Sequence, residues 1–278
     1  MKYCAAVFQF LARRTGSRNI LKYTGVSLLS SITVVWVLLL WLGVFFIFLY
    51  DQNSVLDSTT LIPAGTIDRF YFSGYLLSTL GNGDFKPQTG VWQIVATIFT
   101  FSGFVFLTTA ITYFVSILGS ITEKRLAAIS IFNLGASSSE ITSAVKKLHH
   151  ANQLMSEVSS IKNHLNRLTL NHTSYPISHY FFAVEKNRSI SLAAAELDQA
   201  LEDLRENEKT DENLSAQLEP LRDALNKYLL TLAQRFLADL LKGKVIVNEA
   251  SIKKAKVRQQ VIQALLYSDV WIEKLPDS

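Results

Sequence analysis

One heptapeptide carries the clearest chemistry in the sequence, Ser78-Thr79-Leu80-Gly81-Asn82-Gly83-Asp84. A dehydrated monovalent cation needs rings of carbonyl oxygens facing one axis, and a backbone aims successive carbonyls the same way only by alternating its local handedness. Gly81 and Gly83 permit this at every second position, and Asn82 tolerates left-handed backbone. The predicted cation ligands are the backbone oxygens of Thr79, Leu80, Gly81, Asn82 and Gly83, with the Thr79 hydroxyl at the inner mouth.

The heptapeptide lies in a characteristic order of segments: apolar span, loop, short helix, glycine-rich loop and second apolar span. In that context Thr79 to Asp84 (TLGNGD) resembles the selectivity filter of the two-transmembrane-helix potassium channel family, which are pore-loop ion channels. The resemblance implies potassium ions bound at Thr79, Leu80, Gly81 and Asn82. It places Asp84 at the outer mouth, as a hydrogen-bonded brace or as a cation attractor. It also places a gating hinge at Gly103, for which helix packing is the equal alternative.

The filter departs from the family pattern at Asn82. The family has an aromatic residue there, whose ring braces the filter against the surrounding helices. Asn82 cannot supply that packing, so the sequence leaves the pore geometry less determined from outside. It can instead form a hydrogen bond with a neighbouring helix or turn toward water. We therefore expect potassium to be preferred over sodium, with reduced discrimination.

Composition divides the 278 residues into two regions. Residues 1–122 carry eleven charged side chains, whereas residues 123–278 carry twenty Lys and Arg and nineteen Asp and Glu. Cys4 is the only cysteine, which excludes an intrachain disulfide. Positive charge is not concentrated in one long run, so nucleic acid is not predicted as a partner. The sequence has no paired acid and base and no nucleophile motif, so neither an enzyme nor an organic cofactor is predicted.

The first region predicts a pore-forming domain over residues 26–122 after a basic N-terminal segment, 1–25. Its spans are 26–50 and 91–122, each long enough to cross a bilayer. Residues 66–78 are too short to cross and predict a re-entrant pore helix before the filter at 79–84. Basic residues flank the spans on one side, which predicts a multi-pass protein of the plasma (inner) membrane with both termini cytoplasmic. The N-terminal segment also suggests an amphipathic helix on the inner membrane surface.

Residues 123–278 predict a cytoplasmic bundle of amphipathic helices. Apolar positions from Ile141 to Leu168 form one continuous helical stripe of about thirty residues. A later helix carries Lys253, Lys254, Lys256 and Arg258 on its predicted outer face, where solvent is favoured over contact with lipid headgroups. All five histidines lie between His149 and His179, a cluster that suggests metal or proton sensing but is also typical of a polar helix face. The regulatory ligand or partner of this bundle is not identifiable from the sequence.

Together these patterns predict an all-α membrane protein with two transmembrane helices, a re-entrant pore helix, a selectivity filter and a cytoplasmic helical bundle. One loop supplies only one oxygen to each ring, whereas dehydration of the cation requires about four, so a homotetramer surrounded by membrane lipids is predicted. The predicted function is passive potassium conduction, gated at the inner helices. The alternatives are a non-selective monovalent cation channel of the same architecture and a membrane-anchored sensor or scaffold with a vestigial pore.

Overall fold

The computed structural model describes residues 2–150, 153–207 and 212–275. They form two compact units. The span unit comprises residues 29–116, and the helical unit comprises residues 1–28 and 117–278. The helices of the described residues are α1 (Lys2–Thr15), α2 (Thr24–Leu49), α3 (Thr66–Leu77), α4 (Gly90–Phe132), α5 (Ser138–His150), α6 (Leu154–Ser174), α7 (Ile190–Asn207), α8 (Glu212–Arg235), α9 (Ala238–Leu241) and α10 (Ala255–Ser268). Two short strands are β1 (Val55–Asp57) and β2 (Phe85–Pro87).

Two helical stretches are long and apolar enough to cross a membrane, Arg18–Leu49 and Gly90–Phe132. Both carry mostly exposed apolar side chains, as expected of helices that face lipid or other copies of the chain. The predicted spans at 26–50 and 91–122 lie inside these stretches except for Tyr50, which follows the end of the first. The second helix continues ten residues past its predicted end, because Ala127, Ala128 and Ile131 are buried in the helical unit and extend the packed part of α4.

In the span unit, α3 packs against α2 and α4 around a small aromatic core. The core contains Val44, Phe48, Val55, Ala64, Phe72, Tyr75 and Ala96. Phe48 meets Phe72 edge to face, with ring centroids 5.0 Å apart. Strands β1 and β2 pair antiparallel, with Val55 opposite Pro87 and Asp57 opposite Phe85. The two strands therefore link the chain before α3 to the chain after the heptapeptide, which fixes both ends of the stretch between them.

In the helical unit the predicted long helix from Ile141 to Leu168 is two helices, α5 and α6. The prediction of one continuous stripe was wrong because the two halves bury their apolar faces against different partners. Helix α5 packs mainly on α7, whereas α6 packs mainly on α8. Helix α5 ends at His150 and α6 begins at Leu154. Residues 175–183, here called the elbow, connect α6 to the turn before α7.

Arg258 corrects a second prediction, because it is buried and not part of an outward basic face. Its Nε donates to the Asp198 carboxylate at 2.7 Å, and its Nη2 pairs with Glu202. Arg222 joins the same two carboxylates and completes a buried cluster of two arginines and two acids. A helical stripe read from the sequence alone cannot distinguish this buried, paired arginine from the exposed lysines beside it.

Helix α1 occupies the segment in which an amphipathic helix was predicted. Ala5 and Ala12 are buried on the side that faces the helical unit, and Gln9 donates to the Ser268 carbonyl at 2.9 Å. Tyr3 and Phe10 are exposed on the other side. Contact of that exposed side with the membrane surface stays a prediction.

Candidate ion-conduction site

Helix α3 is held by contacts with Trp41 and by a cap at its N-terminus. Trp41 of α2 stacks on Phe70 with centroids 4.4 Å apart and donates from Nε1 to the Phe70 carbonyl at 2.9 Å. The same indole lies against Gly74, where an added Cβ would come within 2.9 Å of the ring. The α3 N-terminus is closed by Asp68, whose carboxylate accepts the Gly65 amide at 3.0 Å. These contacts fix the position of α3, and the heptapeptide begins directly after its last residue, Leu77.

The backbone of the heptapeptide alternates in handedness. Thr79, Gly81 and Gly83 have φ values of +58°, +62° and +82°. A Cβ on either glycine would meet no atom within 4 Å, so conformation and not space requires glycine there. Thr79 adopts the same region without being glycine, which the sequence did not reveal. Every second residue from 79 to 83 therefore has the left-handed backbone that carbonyl alignment needs.

The carbonyls of this segment have no partner among the described residues. No donor of the described chain binds the oxygens of Thr79, Leu80, Gly81, Asn82 and Gly83, whereas the next carbonyl, of Asp84, accepts the Ser58 amide at 2.8 Å. The amides of Thr79 and Leu80 are tied back to the end of α3, donating to the carbonyls of Leu76 and Tyr75 at 3.1 Å each. The segment thus has a fixed entry and a fixed exit, and the five oxygens between them are exposed and available to water or to a cation.

Tyr71 of α3 braces the segment that the sequence left unbraced. Its hydroxyl accepts a short hydrogen bond from the side-chain amide of Asn82, through Nδ2, and donates to the Asp84 carboxylate at 3.2 Å. Tyr75 adds a bond from its hydroxyl to the Phe85 carbonyl at 2.5 Å. The aromatic ring is therefore supplied by the helix, and the polar group is supplied by the filter segment. Asn82 does form a hydrogen bond with a neighbouring helix, one of the two possibilities that the sequence left open.

Arg69 and its partners were missed by the sequence analysis. Arg69 is buried in α3, and its guanidinium donates to the carbonyls of Ala64 at 2.9 Å, Asp51 at 3.3 Å and Gln52 at 2.5 Å. Trp92 at the start of α4 donates from Nε1 to the Asp51 carboxylate at 2.8 Å. An arginine directly before the aromatic run of the short helix was the available signal, since such a residue is buried only when it is paired.

Gly103 lies where α4 crosses the end of α3. A Cβ there would overlap the backbone carbonyl of Leu77, so this glycine is required by close packing. Helix α4 is continuous from Gly90 to Phe132, through Gly103. Packing therefore explains the glycine without a bend, and a hinge at this position stays a prediction.

An open groove of about 610 Å³ runs beside the filter segment, between the end of α3 and one face of α4. Leu76 and Thr79 form one wall, and Thr97, Thr100 and Phe104 form the other. Of the predicted site residues, Thr79 to Gly83 lie together in one loop and Asp84 joins the Tyr71 brace. Gly103 lies outside this loop, against the backbone of Leu77 at the end of α3.

The histidine cluster separates into different environments in the helical unit. His172 and His179 are buried, with ring centroids 5.7 Å apart, and His179 stacks on Phe236 at 4.1 Å. Burial, aided by the nearby Lys124, lowers the pKa of His172 to about 3 and holds the pKa of His179 well below its usual range. His164 bonds Glu123 at 2.6 Å. Among the described residues no three His, Cys, Asp or Glu side chains are grouped as metal ligands.

Parts of the chain are similar to known proteins. Residues 34–120 match the model of an ion channel family. The uncharacterized membrane protein YdjJ of Bacillus subtilis (strain 168) is 36% identical over 186 residues, which are 66% of this chain and 54% of that protein. This chain thus spans about half the length of that relative. No solved structure matches. The two apolar helical stretches, the membrane-protein relative and the family match together indicate a membrane protein whose residues 34–120 are similar to ion channels.

Proposed function

We propose that this chain is one subunit of a potassium channel that conducts passively through a filter formed by Thr79 to Gly83. The observation that carries the proposal is the backbone of that loop. Three alternate residues have positive φ, and among the described residues no donor binds the five successive carbonyl oxygens, so they are open to solvent or to ions. A connecting turn between two helices has no need of three alternate left-handed residues. Such alternation aims successive carbonyls along one axis, where cations bound at successive levels can replace water.

Four copies complete the site in this proposal. One loop supplies one oxygen at each level, and about four are needed to replace the water around the ion. The groove beside Thr79 and the exposed apolar faces of α2 and α4 offer surfaces for neighbouring copies and lipid. Non-helical backbone at membrane depth must be shielded by protein or line a watery cavity, and a ring of four loops does both. Helix α3 acts as the re-entrant pore helix, with its negative C-terminal end toward the ion path.

The proposed domain boundaries are an N-terminal segment at 1–25, a pore domain at 26–122 and a helical domain at 123–278. Both termini lie in the cytoplasm, because the basic residues Arg13, Arg14, Arg18 and Lys22 precede the first span and the chain crosses twice. The plasma (inner) membrane is the proposed location. Gating at the inner helices follows from the family resemblance, and the ligand or partner of the helical domain is not assigned.

The proposal is tested by ion flux from the purified full-length protein in liposomes loaded with potassium. Gly81→Ala and Gly83→Ala should abolish flux while the protein still inserts and assembles, because alanine disfavours the positive φ at both positions. Gly43→Ala is the matched control, since its Cβ would meet no atom within 4 Å and its φ is not positive. No flux from the unaltered protein would favour the scaffold with a vestigial pore, and full flux from both filter variants would refute the site.

A non-selective cation channel of the same architecture is the second candidate, and the Asn82 to Tyr71 bond is the observation that bears on it. If the brace holds the loop rigidly, potassium is preferred. If a single polar contact is too weak to keep the rings at one size, sodium permeates as well. Reversal potentials with potassium on one side and sodium on the other distinguish the two candidates, since a value near zero means a non-selective pore.

A further inference from the structure

The elbow, residues 175–183, is held by two cations from different parts of the chain. Lys124, buried on α4, donates from Nζ to the carbonyls of His179 at 3.0 Å and Phe181 at 3.2 Å. Arg18 donates from Nη2 to the carbonyl of Ala183 at 2.9 Å. Three alternate carbonyls of the elbow are thus bound by side chains and not by backbone amides. The conformation of the elbow therefore depends on where these two cations stand.

Both cations belong to elements that lead into the candidate membrane helices. Arg18 begins a short 3₁₀ turn that ends at Tyr23, immediately before α2. Lys124 lies on α4, two residues beyond the predicted end of the second span. A third contact lies between them, because the ring of Phe181 fills the space beside Gly25 and a Cβ there would overlap it. The elbow consequently touches the first turns of α2 and the last turns of α4 together.

The turn after α10, residues 269–271, closes over the other side of Arg18. Nη1 of Arg18 donates to the carbonyls of Asp269 and Val270 at 2.6 Å each. Its guanidinium carbon stands 3.3 Å from the ring centroid of Trp271. The indole is fixed in turn by Ser189, whose Oγ accepts from Trp271 Nε1 at 2.8 Å. Arg18 therefore joins the elbow to the C-terminal turn.

This turn is strained in a way that Arg18 offsets. The amide of Trp271 donates to the Leu266 carbonyl at 2.8 Å, and the amide of Val270 donates to the Tyr267 carbonyl at 3.1 Å. This is a Schellman helix end, whose left-handed position is usually glycine. Val270 occupies that position with φ +58°, which a β-branched residue rarely adopts. Without Arg18 the turn keeps its own backbone bonds and the Trp271–Ser189 bond, and it loses the two hydrogen bonds that offset the strain at Val270.

We propose that the elbow and the turn at 269–271 form a clamp that fixes the cytoplasmic ends of α2 and α4 relative to each other and so sets the open probability of the channel. The proposal rests on the proposed function, because open probability has meaning only for a conducting pore. It adds an element to that function: the helices of the helical unit act on the gate through the carbonyls of the elbow. Release of either cation frees the same segment, so both releases change gating in the same direction.

Single-channel recording of the full-length protein in planar bilayers tests the gating role. Arg18→Gln and Lys124→Gln should each change open probability by about fivefold or more, in the same direction, with unchanged conductance and reversal potential. Glutamine is too short to reach the carbonyls that these cations join. The matched controls are Arg14→Gln and Arg125→Gln, which remove nearby exposed cations and should leave gating unchanged. Wild-type open probability in both clamp variants would overturn the proposal.

Hydrogen exchange on the same preparations reads the clamp without any need for current. Amides of the elbow and of residues 269–271 should exchange about tenfold faster in Arg18→Gln than in Arg14→Gln. Unchanged exchange would overturn the clamp. If the wild-type protein never conducts and exchange is still faster in Arg18→Gln, the proposed function and the gating role are overturned, and the clamp remains only as a structural tie.

Val270→Gly keeps the proposal testable if Arg18→Gln folds poorly. Glycine relieves the strained φ, so the turn no longer needs the arginine to hold it. Added to Arg18→Gln, it should return exchange at residues 269–271 and most of the open probability toward wild type. Absence of any such recovery in a folded double variant would count against the role given to the turn.

Discussion

No buried side-chain nitrogen or oxygen of the span unit, residues 29–116, lacks a hydrogen-bond partner, whereas eight such atoms in the described part of the helical unit have none. Six of the eight belong to Arg18, Thr24, Ser120, His172, Ser178 and Asp269. These residues lie on or beside the elements that meet at the clamp. Burial also raises the pKa of the Asp269 carboxyl, although Lys124 and Arg18 are nearby.

The proposed functions account for this difference. A filter tolerates little change in the size of its rings, so pairing of the side chains around it favours one geometry. Unpaired buried polar atoms cost free energy in the conformation that leaves them unpaired. An arrangement that pairs some of them would lower that cost, which is what the proposed gating by the clamp needs.

The largest effect is expected from Arg69→Met in the paired region. This change leaves the carbonyls of Asp51, Gln52 and Ala64 without their donor. One of these bonds is buried and two are part-buried, and a hydrogen bond to a charged group contributes about 1.5–3 kcal/mol, so the free energy of unfolding should fall by about 3 kcal/mol or more. Chemical denaturation of the full-length protein in detergent measures it. Lys86→Met, on an exposed lysine, is the control, and a loss as small as that of the control would show that the pairing is not needed.

The next effect is expected from Gly103→Ala. Its Cβ would overlap the Leu77 carbonyl, and enlarging a residue in a packed site costs about 1–3 kcal/mol. The midpoint temperature of unfolding and the ion flux should both fall. Gly119→Ala on the same helix meets no atom within 4 Å and should be neutral or stabilising by up to about 1 kcal/mol. If Gly103→Ala unfolds like wild type and changes open probability alone, the hinge prediction replaces packing.

The glycines illustrate how far the sequence reaches. Gly81 and Gly83 were predicted from type and spacing because left-handed backbone is a local property of the chain. The positive φ of Thr79 was not, since nothing in a threonine announces it. The close approach at Gly103 depends on where α3 ends in space, so the sequence left packing and bending equally open. The two apolar stretches were predicted because length and apolarity alone define them.

Paired polar residues were the recurrent failure. Arg258 was assigned to an exposed face and Arg69 was passed over, although both are buried. In each case the partners are distant in sequence: Asp198 and Glu202 for Arg258, and the carbonyls of Asp51 and Gln52 for Arg69. Hydropathy ranks both arginines as surface residues, and only tertiary structure shows what satisfies them. Tyr71 was missed for the same reason, because its role depends on Asn82 and Asp84.

A smaller effect is expected in the unpaired region on acidification. The folded-state pKa of His172 is about 3, below the unfolded value near 6.5, so the unfolded chain binds more protons between these values. Stability is therefore full above pH 6.5 and is lost as pH falls. The contribution of His172 should drop by about 1.4 kcal/mol between pH 7.5 and 5.5. His172→Phe should flatten the pH dependence of unfolding, and His150→Gln, on an exposed histidine, should not.

The smallest change in free energy is expected from Tyr71→Phe, and it bears on selectivity. The variant keeps the ring in α3 and removes only the hydroxyl that bonds Asn82 and Asp84. If that hydroxyl holds the rings at the size of a potassium ion, the potassium to sodium permeability ratio should fall about threefold to tenfold, which is about 0.7–1.4 kcal/mol. Bi-ionic reversal potentials measure the ratio, with Tyr50→Phe on an exposed tyrosine as the control.

Asn82→Leu removes the same bond from the other side, so it should lower the ratio similarly, and the double variant should lower it little further. Additive losses would mean that the two side chains act separately, and an unchanged ratio in Tyr71→Phe would mean that the carbonyls select by number and field without the brace.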